Sequence, residues 1–201
     1  MDWSLFHVLN GALRHQDGGQ DAAQIFNAWA LFVLVAVAGV LWFVARPGGS
    51  LRPKQAAVSA ALAAVLALLA NGVLGRLWFH DRPFVDHPDA TVLLVRHGAD
   101  NSFPSDHASV AFAVAFAVAG FYRRYGLMLV LGAAAVAIDR VFVGVHYPVD
   151  VASSLLVGLG AAGLVTTVGR GLVERLARLL SRISDPFVGA IWELVTPARD
   201  P

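Results

Sequence analysis

The chain of 201 residues contains no cysteine, and only 14% of its residues are charged. The absence of cysteine excludes disulfide bonds and metal sites built from thiolates. Soluble domains carry roughly 25% charged residues, so this composition argues against a water-soluble fold. The formal net charge of +1 argues against a nucleic-acid partner, because such proteins carry a strong basic excess. What the chain has in abundance is apolar sequence, with 57% hydrophobic residues, which indicates a membrane protein.

The apolar residues are grouped in five runs. Three of them, residues 22–45, 55–75 and 151–169, carry no charge, and each is long enough for a spanning helix of about 20 residues. Two shorter runs, residues 108–122 and 125–138, are separated by a basic pair and extend into polar motifs at their other ends. We therefore predict an all-α fold: a polytopic transmembrane helix bundle with about five spans.

Amphipathic segments flank the predicted bundle at both ends. Residues 1–16 mix polar and apolar side chains in a pattern that favours an interfacial helix over the apolar core of a cleavable signal peptide. Residues 172–183 place Arg175, Arg178 and Arg182 at helical spacing opposite apolar residues. This pattern predicts a helix on the inner leaflet or, alternatively, a packing helix with one solvated face. No repeat or linker divides the chain, so we predict a single domain over all 201 residues.

The loop charges predict an orientation in the membrane. Positive charge is concentrated in residues 46–54, in the basic pair 123–124 and in the four arginines that follow Gly169. The positive-inside rule places these three segments in the cytoplasm. Residues 76–104 and 140–150 then face the other side. We expect a multi-pass protein of the cell membrane whose polar motifs all lie at the extracytoplasmic face.

Three polar motifs border the apolar runs. They are Arg82-Pro83, Pro104-Ser105-Asp106-His107 and Arg140-x5-His146-x3-Asp150. An arginine at a membrane edge is costly unless it meets an anion or a partner. Ser105 before an apolar run predicts a helix N-cap, and the free N–H groups of a helix N terminus favour an anion.

The residue types in these motifs suit phosphoryl transfer. Two arginines can hold phosphate oxygens, one histidine can attack phosphorus, and the other can protonate the leaving oxygen. Asp150 is close enough in sequence to His146 to hold one ring nitrogen and leave the other as a nucleophile. The motifs therefore predict a site for a phosphate attached to an apolar group.

Histidine and aspartate are also metal ligands, so a metal site is the competing interpretation of this cluster. Arg82 and Arg140 in the same cluster would repel a cation, and the chain offers neither thiolates nor a carboxylate-rich set. We therefore predict a reaction that needs no metal and no cofactor.

The three motifs, in this order and spacing, resemble the three-part signature of the type 2 phosphatidic acid phosphatase superfamily. Their wider context, Arg82-Pro-Phe-Val-Asp-His87 and His97-Gly-Ala-Asp-Asn-Ser-Phe-Pro-Ser-Asp-His107, is similar to the bacitracin-resistance undecaprenyl-diphosphate phosphatases within it. The resemblance implies that His146 is the nucleophile, Asp150 its orienting partner and His107 the general acid. The residues that it implies for holding the phosphate are Arg82, Ser105 and Arg140.

Three positions depart from the pattern of that superfamily. Its first motif usually begins with a lysine, and Gly75 stands at that position here, which makes Arg76 the nearest cation and a candidate substrate-binding residue. Asp106 replaces the usual glycine, so its backbone amide stays a candidate phosphate donor while its carboxylate adds negative charge. Asp139 replaces a serine and offers a partner for an arginine.

Other polar residues near the motifs are interpreted as structural. His97 and Asp100 are assigned to loop packing, with substrate contact as the alternative, and His80 is assigned to the membrane interface. Asn71, inside the second apolar run, predicts a hydrogen bond between helices.

Three functions remain compatible with the sequence. The resemblance implies an enzyme that removes the terminal phosphate of undecaprenyl diphosphate, a polyprenyl lipid, through a phosphohistidine intermediate during recycling of the cell-wall lipid carrier. The alternative within the same chemistry is a phosphatidylglycerophosphate or broad lipid-phosphate phosphatase. A non-catalytic lipid-phosphate binder or transporter is the alternative of another class, and the paired histidines argue against it because binding alone needs no nucleophile. Membrane lipids are the expected surroundings in each case, and no pattern sets the oligomeric state.

Overall fold

The computed structural model describes residues 2–195, and every regular element within that range is an α-helix. The eight helices are α1 (Asp2–Gly11), α2 (Asp17–Val44), α3 (Arg52–Leu77), α4 (Pro83–Asp86), α5 (Asp106–Ala119), α6 (Arg123–Phe142), α7 (Pro148–Thr167) and α8 (Arg170–Val195). The predicted all-α class is confirmed.

Four of these helices, α2, α3, α6 and α7, are long and apolar enough to cross a membrane. The remaining apolar run forms α5, which has only 14 residues and is about 21 Å long, whereas a hydrocarbon core is about 30 Å thick. The run 125–138 gains length through the third motif, since α6 ends at Phe142. In contrast, α5 begins only at Asp106, inside the second motif. The bundle therefore has four full-length spans and one shorter apolar helix in the place of the fifth.

The short helix α5 lies at the centre of the bundle. Nine of its fourteen residues are buried, and it packs against α3, α6 and α7. Small residues permit the close approach: a Cβ on Gly126 would lie 2.2 Å from the Cα atom of Ala119, and one on Gly158 would lie 2.6 Å from the Cβ atom of Phe112. Membrane helices commonly pack in this way. The neighbouring helices thus enclose α5 and bury the serine that precedes it, Ser105.

Helix α1 covers the end of the bundle where the polar motifs lie. It packs against α6 and α7, and Phe6 is fully buried beside Tyr147, with ring centroids 5.5 Å apart. The Asn10 side chain bonds the backbone of Val92 in both directions at 2.8 Å and donates to the Phe142 carbonyl oxygen at 2.9 Å. The predicted N-terminal helix is present, and these contacts fix it to the bundle.

Helix α8 lies across the opposite end. The carboxylate of Asp185 pairs with the buried ammonium of Lys54 at the start of α3, and the indole N–H of Trp192 donates to the Phe43 carbonyl oxygen at 3.1 Å. The residues on its buried side are Val173, Ala177, Ser181 and Val188. The three arginines predicted for its polar face are exposed. The C-terminal helix therefore both packs on the bundle and presents a charged face.

The three motif segments meet at the end that α1 covers. The turn between α6 and α7 requires Gly144, whose φ is +86°, and a Cβ there would lie 2.5 Å from the Val92 carbonyl oxygen. This close approach lets the Leu94 N–H donate to the Val143 carbonyl oxygen at 3.1 Å, which ties the loop 78–105 to the third motif. The prediction that all three motifs share one end of the fold is confirmed.

Candidate active site

His146 lies in the turn between α6 and α7 and is only 2% exposed. Its Nδ1 atom lies 3.2 Å from the Ser102 hydroxyl oxygen and 3.7 Å from Oδ2 of Asp150. Its Nε2 atom lies 3.1 Å from Nη1 of Arg82. Because an arginine can only donate, Nε2 is the acceptor and the imidazole proton is on Nδ1. This tautomer makes the lone pair of Nε2 the candidate nucleophile.

Asp150 occupies the first turn of α7, so a helix boundary separates it from His146. Its carboxylate is fully buried and accepts from the Tyr147 backbone N–H at 2.8 Å and from the Ser102 hydroxyl at 2.5 Å. A third donor is Nδ1 of His80, which lies 2.9 Å from Oδ1. Three donors fix the carboxylate in one orientation and stabilise its charge. Asp150 can therefore orient the imidazole, as the resemblance implies.

Ser102 and His80 are site residues that sequence reasoning missed. Ser102 is fully buried and stands between His146 and Asp150, so it completes a chain of hydrogen bonds from carboxylate to imidazole. The ring of His80 stacks on that of Tyr147 at 4.9 Å, and its bond to Asp150 does not fit the interpretation of His80 as an interfacial residue. These partners are 44 to 70 residues apart, so no local spacing reveals them.

Arg82 is buried, and every nitrogen of its guanidinium is bonded. Nε donates to Oδ1 of Asp100 at 2.8 Å, Nη1 donates to the Val145 carbonyl oxygen at 2.9 Å, and Nη2 donates to the Asn101 carbonyl oxygen at 3.1 Å. Burial raises the pKa of Asp100, but the hydrogen bond and charge of Arg82 outweigh it and lower the pKa overall. Asp100, interpreted from sequence as a loop residue, thus holds a candidate phosphate-binding arginine in place.

Four buried side-chain polar atoms have no hydrogen-bond partner among residues 2–195, and three of them lie at this end of the bundle: Nε and Nη2 of Arg140 and the hydroxyl of Ser105. Leaving a buried donor unpaired costs about 1–3 kcal/mol, and more for a charged group, so such atoms call for an explanation. Ser105 stands at the N-cap of α5 as predicted, but its side chain makes no capping bond. These atoms form a donor set for an anion beside the N terminus of a helix.

Asn27 of α2 connects two neighbouring residues at the end of α6. Its Oδ1 accepts from Nη1 of Arg140 at 3.1 Å, and its amide donates to Oδ2 of Asp139 at 2.9 Å. Asp139, predicted from sequence as a partner for an arginine, is therefore bonded to Asn27, and the same Asn27 side chain holds Arg140. Only one nitrogen of Arg140 is engaged, which leaves the other two for a ligand. No sequence motif marks Asn27, because its partners are more than 110 residues away.

Two further histidines lie in the cluster. His107 occupies the first turn of α5, where the positive charge of Arg140 acts on its ring. The ring of His97 stands edge-on to that of His146, with centroids 6.3 Å apart. Burial lowers the pKa of His97, so its ring is neutral at pH 7. His97, assigned to loop packing from sequence, lies beside the candidate nucleophile.

The protonation state of His146 follows from its surroundings. Burial lowers its pKa to about 4, and the positive charges of Arg140 and Arg82 act in the same direction. The negative charge of the nearby Asp150 carboxylate raises the pKa but does not outweigh burial. The imidazole is therefore neutral at pH 7, which is the form that a nucleophile requires.

Asp106 and Arg76 lie apart from these contacts. Oδ1 of Asp106 accepts from the Asn71 amide at 2.7 Å, which is the inter-helix bond predicted for Asn71. Arg76 is exposed on the last turn of α3 and is not brought into the cluster. A Cβ on Gly75 would lie 2.8 Å from the amide nitrogen of Asn101. Asn101 therefore occupies the space next to the position at which the superfamily pattern has lysine.

The described cluster thus combines a neutral candidate nucleophile, an oriented carboxylate, a second histidine and unpaired donors that suit an anion. Within residues 2–195, no three His, Cys, Asp or Glu side chains are arranged to hold a metal ion. These residue types can transfer a phosphoryl group to Nε2 of His146 and on to water.

Comparisons with known proteins agree with this geometry. A family model described as the PAP2 superfamily matches residues 56–173. The putative undecaprenyl-diphosphatase YbjG of Escherichia coli (strain K12) is 33% identical over 184 residues, 88% of each chain. The undecaprenyl-diphosphatase BcrC of Bacillus subtilis (strain 168) is 31% identical over 160 residues, 79% of each chain. The solved structure of Aquifex aeolicus LpxE has the same fold, with a TM-score of 0.67 and 24% identity, covering 81% of this chain and 93% of that chain. The chain belongs to the PAP2 superfamily.

Proposed function

We propose that this lipid phosphatase removes the terminal phosphate of undecaprenyl diphosphate, giving undecaprenyl phosphate and inorganic phosphate. The observation that carries the proposal is the set of unpaired donors on Arg140 and Ser105 close to the neutral imidazole of His146. The substrate class is taken from the two relatives, whose names both specify undecaprenyl diphosphate. In the cell, this reaction would recycle the lipid carrier of cell-wall synthesis.

In the first step, Nε2 of His146 attacks the terminal phosphorus, and the bond from phosphorus to the bridging oxygen breaks. Arg140 and Ser105 hold the non-bridging oxygens and stabilise their developing charge. The negative charge of the bound diphosphate favours the protonated form of His107, which gives its proton to the bridging oxygen, so undecaprenyl phosphate leaves in protonated form. Asp150, acting through the Nδ1–H side of the ring, stabilises the positive charge that forms on the imidazole. The product is a phosphohistidine.

In the second step, water attacks the phosphohistidine. His107, now neutral, accepts a proton from the water, and the phosphorus–nitrogen bond breaks. The electron pair of that bond returns to Nε2 of His146, and inorganic phosphate leaves. Both histidines are restored to their starting protonation states, so the cycle needs no other reactant.

An apolar groove of about 450 Å³ between α2 and α6 offers a place for the lipid tail. Phe26 and Trp29 line the groove on either side of Asn27 in sequence, and Asn27 holds Arg140. Val136, also in the lining, lies one turn before Arg140. The groove therefore starts near the unpaired donors and continues along both helices. We place the first isoprene units of the tail there.

We also propose that the site faces the extracytoplasmic side of the cell membrane. The support is the excess of positive charge at the other end of the bundle, in residues 46–54 and on α8. The chain has no native cysteine, so single-cysteine labelling is direct. A cysteine at Ala90 should react with a membrane-impermeant maleimide in intact cells, and one at Gly49 should not. The reverse pattern would put the site in the cytoplasm.

Phosphate release from a substrate panel tests the function. Purified protein is assayed with undecaprenyl diphosphate, phosphatidylglycerophosphate and phosphatidic acid, each with and without EDTA. We expect the highest kcat/KM for undecaprenyl diphosphate and no effect of EDTA. A higher value for phosphatidylglycerophosphate would support the alternative phosphatase, and phosphate binding without release from any lipid would identify a non-catalytic binder. The His146→Ala variant serves as the blank for contaminating phosphatases.

A further inference from the structure

A second polar cavity, of about 560 Å³, lies at the end of the bundle opposite His146. The polar residues that line it include Ser50, Arg52, Gln55, Ser59, Thr166 and Arg170, and we refer to it as the distal pocket. Arg52 begins α3 and His80 follows the end of that helix, so about 37 Å of helix separates the distal pocket from the candidate active site. The mechanism above uses none of its residues.

The distal pocket is positively charged. It lies at the first turns of α3 and α8, whose N termini carry the positive ends of two helix dipoles. The guanidinium of Arg52 is fixed there, because it donates to the Phe121 carbonyl oxygen and lies 5.0 Å from the centre of the Tyr122 ring. The one acidic group in its lining, Glu174, forms an ion pair with Arg178. The charge of Arg52 is therefore not neutralised by an acidic side chain of the lining.

Ser59 gives an independent sign of a ligand. It is fully buried, it lines the distal pocket, and its hydroxyl has no hydrogen-bond partner among residues 2–195. A buried hydroxyl without a partner is destabilising, and a serine inside a helix usually bonds a carbonyl one turn earlier. An anion in the pocket would accept this O–H together with the N–H groups of the two arginines.

The residues around the distal pocket indicate which kind of molecule would contain the anionic group. Apolar residues complete its lining, among them Leu51, Phe121 and Val173. Beside it, Val168 and Leu172 are exposed, which suits a position at the boundary between lipid headgroups and acyl chains. We propose that the distal pocket binds the phosphate group of an anionic membrane lipid, whose acyl chains lie along these apolar residues.

Lipid titration followed by native mass spectrometry tests this proposal. Protein in detergent is titrated with phosphatidylglycerol or, for comparison, with zwitterionic phosphatidylcholine. We expect tighter binding of phosphatidylglycerol, weakened about tenfold in the double variant Arg52→Gln/Arg170→Gln. The matched control is Arg124→Gln/Arg175→Gln, which removes the same charge from exposed positions outside the lining. Equal losses in both double variants would show that general surface charge attracts the lipid, and would overturn the proposal.

Two further measurements separate the proposal from its competitors. Ser59→Ala changes no charge and removes only the unpaired hydroxyl, so we expect a three- to tenfold loss of phosphatidylglycerol affinity, and unchanged affinity would contradict the assigned contact. Inorganic phosphate at millimolar concentration should not displace the lipid; displacement would identify free phosphate as the ligand and overturn the lipid assignment. Phosphate release by the Arg52 and Arg170 variants in detergent should equal that of the wild type, so this test is independent of the proposed catalytic function.

Discussion

Nη1 of Arg82 donates a hydrogen bond to Nε2 of His146 over 3.1 Å, so the atom proposed to attack phosphorus has its lone pair engaged by an arginine. The same nitrogen also donates to the Val145 carbonyl oxygen. For phosphorus to reach Nε2, this N–H must turn from the imidazole to a phosphate oxygen. The resemblance assigns Arg82 to phosphate binding, and a small movement of the guanidinium connects the two arrangements.

Replacing Arg82 with lysine should lower kcat/KM by roughly 100-fold, because an ammonium group cannot reproduce a planar fork that bonds in three directions. Steady-state phosphate release from undecaprenyl diphosphate measures the effect. Arg96→Lys is the matched control, since Arg96 is an exposed residue in the same loop, and it should keep wild-type kinetics. Normal kinetics in Arg82→Lys would show that positive charge alone is sufficient at this position.

His80 is expected to position Asp150. Removing its bond in His80→Ala should lower kcat by about tenfold, the effect of losing one hydrogen bond to a charged group, with little change in KM. An asparagine can place an amide N–H near the position of the imidazole Nδ1, so His80→Asn should recover most of the loss. If the alanine and asparagine variants are equally impaired while both remain folded, the bond to Asp150 is not what His80 contributes.

The pKa of His146 can be measured directly by NMR of protein labelled with ¹⁵N at its histidines. Burial lowers this pKa to about 4, so the resonance should titrate well below the ordinary value of about 6.5. Arg82→Gln removes a neighbouring positive charge and should raise the midpoint. A midpoint at or above 6.5 would contradict the neutral nucleophile.

The lowered pKa of His146 also makes the stability of the fold depend on pH. Between about pH 6.5 and 4, His146 takes up a proton in the unfolded chain but not in the folded one. Its contribution to stability is therefore present above pH 6.5 and is lost as the pH falls through this window. His146→Gln should be less sensitive than the wild type to acidification from pH 7 to 5, as measured by thermal unfolding in detergent.

The groove between α2 and α6 predicts an effect that depends on tail length. Gly132 lines the groove, and a Cβ there would lie 3.6 Å from Cδ1 of Leu34, so Gly132→Leu should fit the fold while filling the groove. We expect a KM for undecaprenyl diphosphate raised about tenfold and unchanged kinetics with a short-chain diphosphate such as isopentenyl diphosphate. The control is Gly160→Leu, at an open position on α7. The same effect in the control would place the tail elsewhere.

The sequence predicts those parts of the structure that depend on residue type and local period. The apolar runs predict the helices. Arg82, His107 and His146 are identified because ionisable side chains at the edge of a membrane are costly unless they bind a partner or a ligand. The sequence does not predict the length of α5, because a helix enclosed by other helices does not need to match the thickness of a bilayer. Arg76 is the cation nearest in sequence to the position where the superfamily has lysine, yet it is exposed on the last turn of α3.

The site residues that the sequence does not predict lie outside the three motifs and hold the motif residues in place. Asn27, His80 and Ser102 reach their partners across 44 to 113 residues, and such contacts depend on the tertiary fold alone. Their side chains are also ordinary loop or helix residues, with no spacing that sets them apart. The space around Gly75 depends on the tertiary fold in the same way, since a Cβ there would lie 2.8 Å from the side-chain amide nitrogen of Asn101.

The central claim is that His146 carries the phosphoryl group during turnover. The most direct measurement is single-turnover reaction with substrate labelled with ³²P at the terminal phosphate, quenched in alkali because phosphohistidine survives base and hydrolyses in acid. We expect alkali-stable label on the peptide that contains His146, acid-labile on later treatment, and none in His146→Ala, which should also have lost turnover. Label on another residue, or turnover retained without His146, would contradict the account.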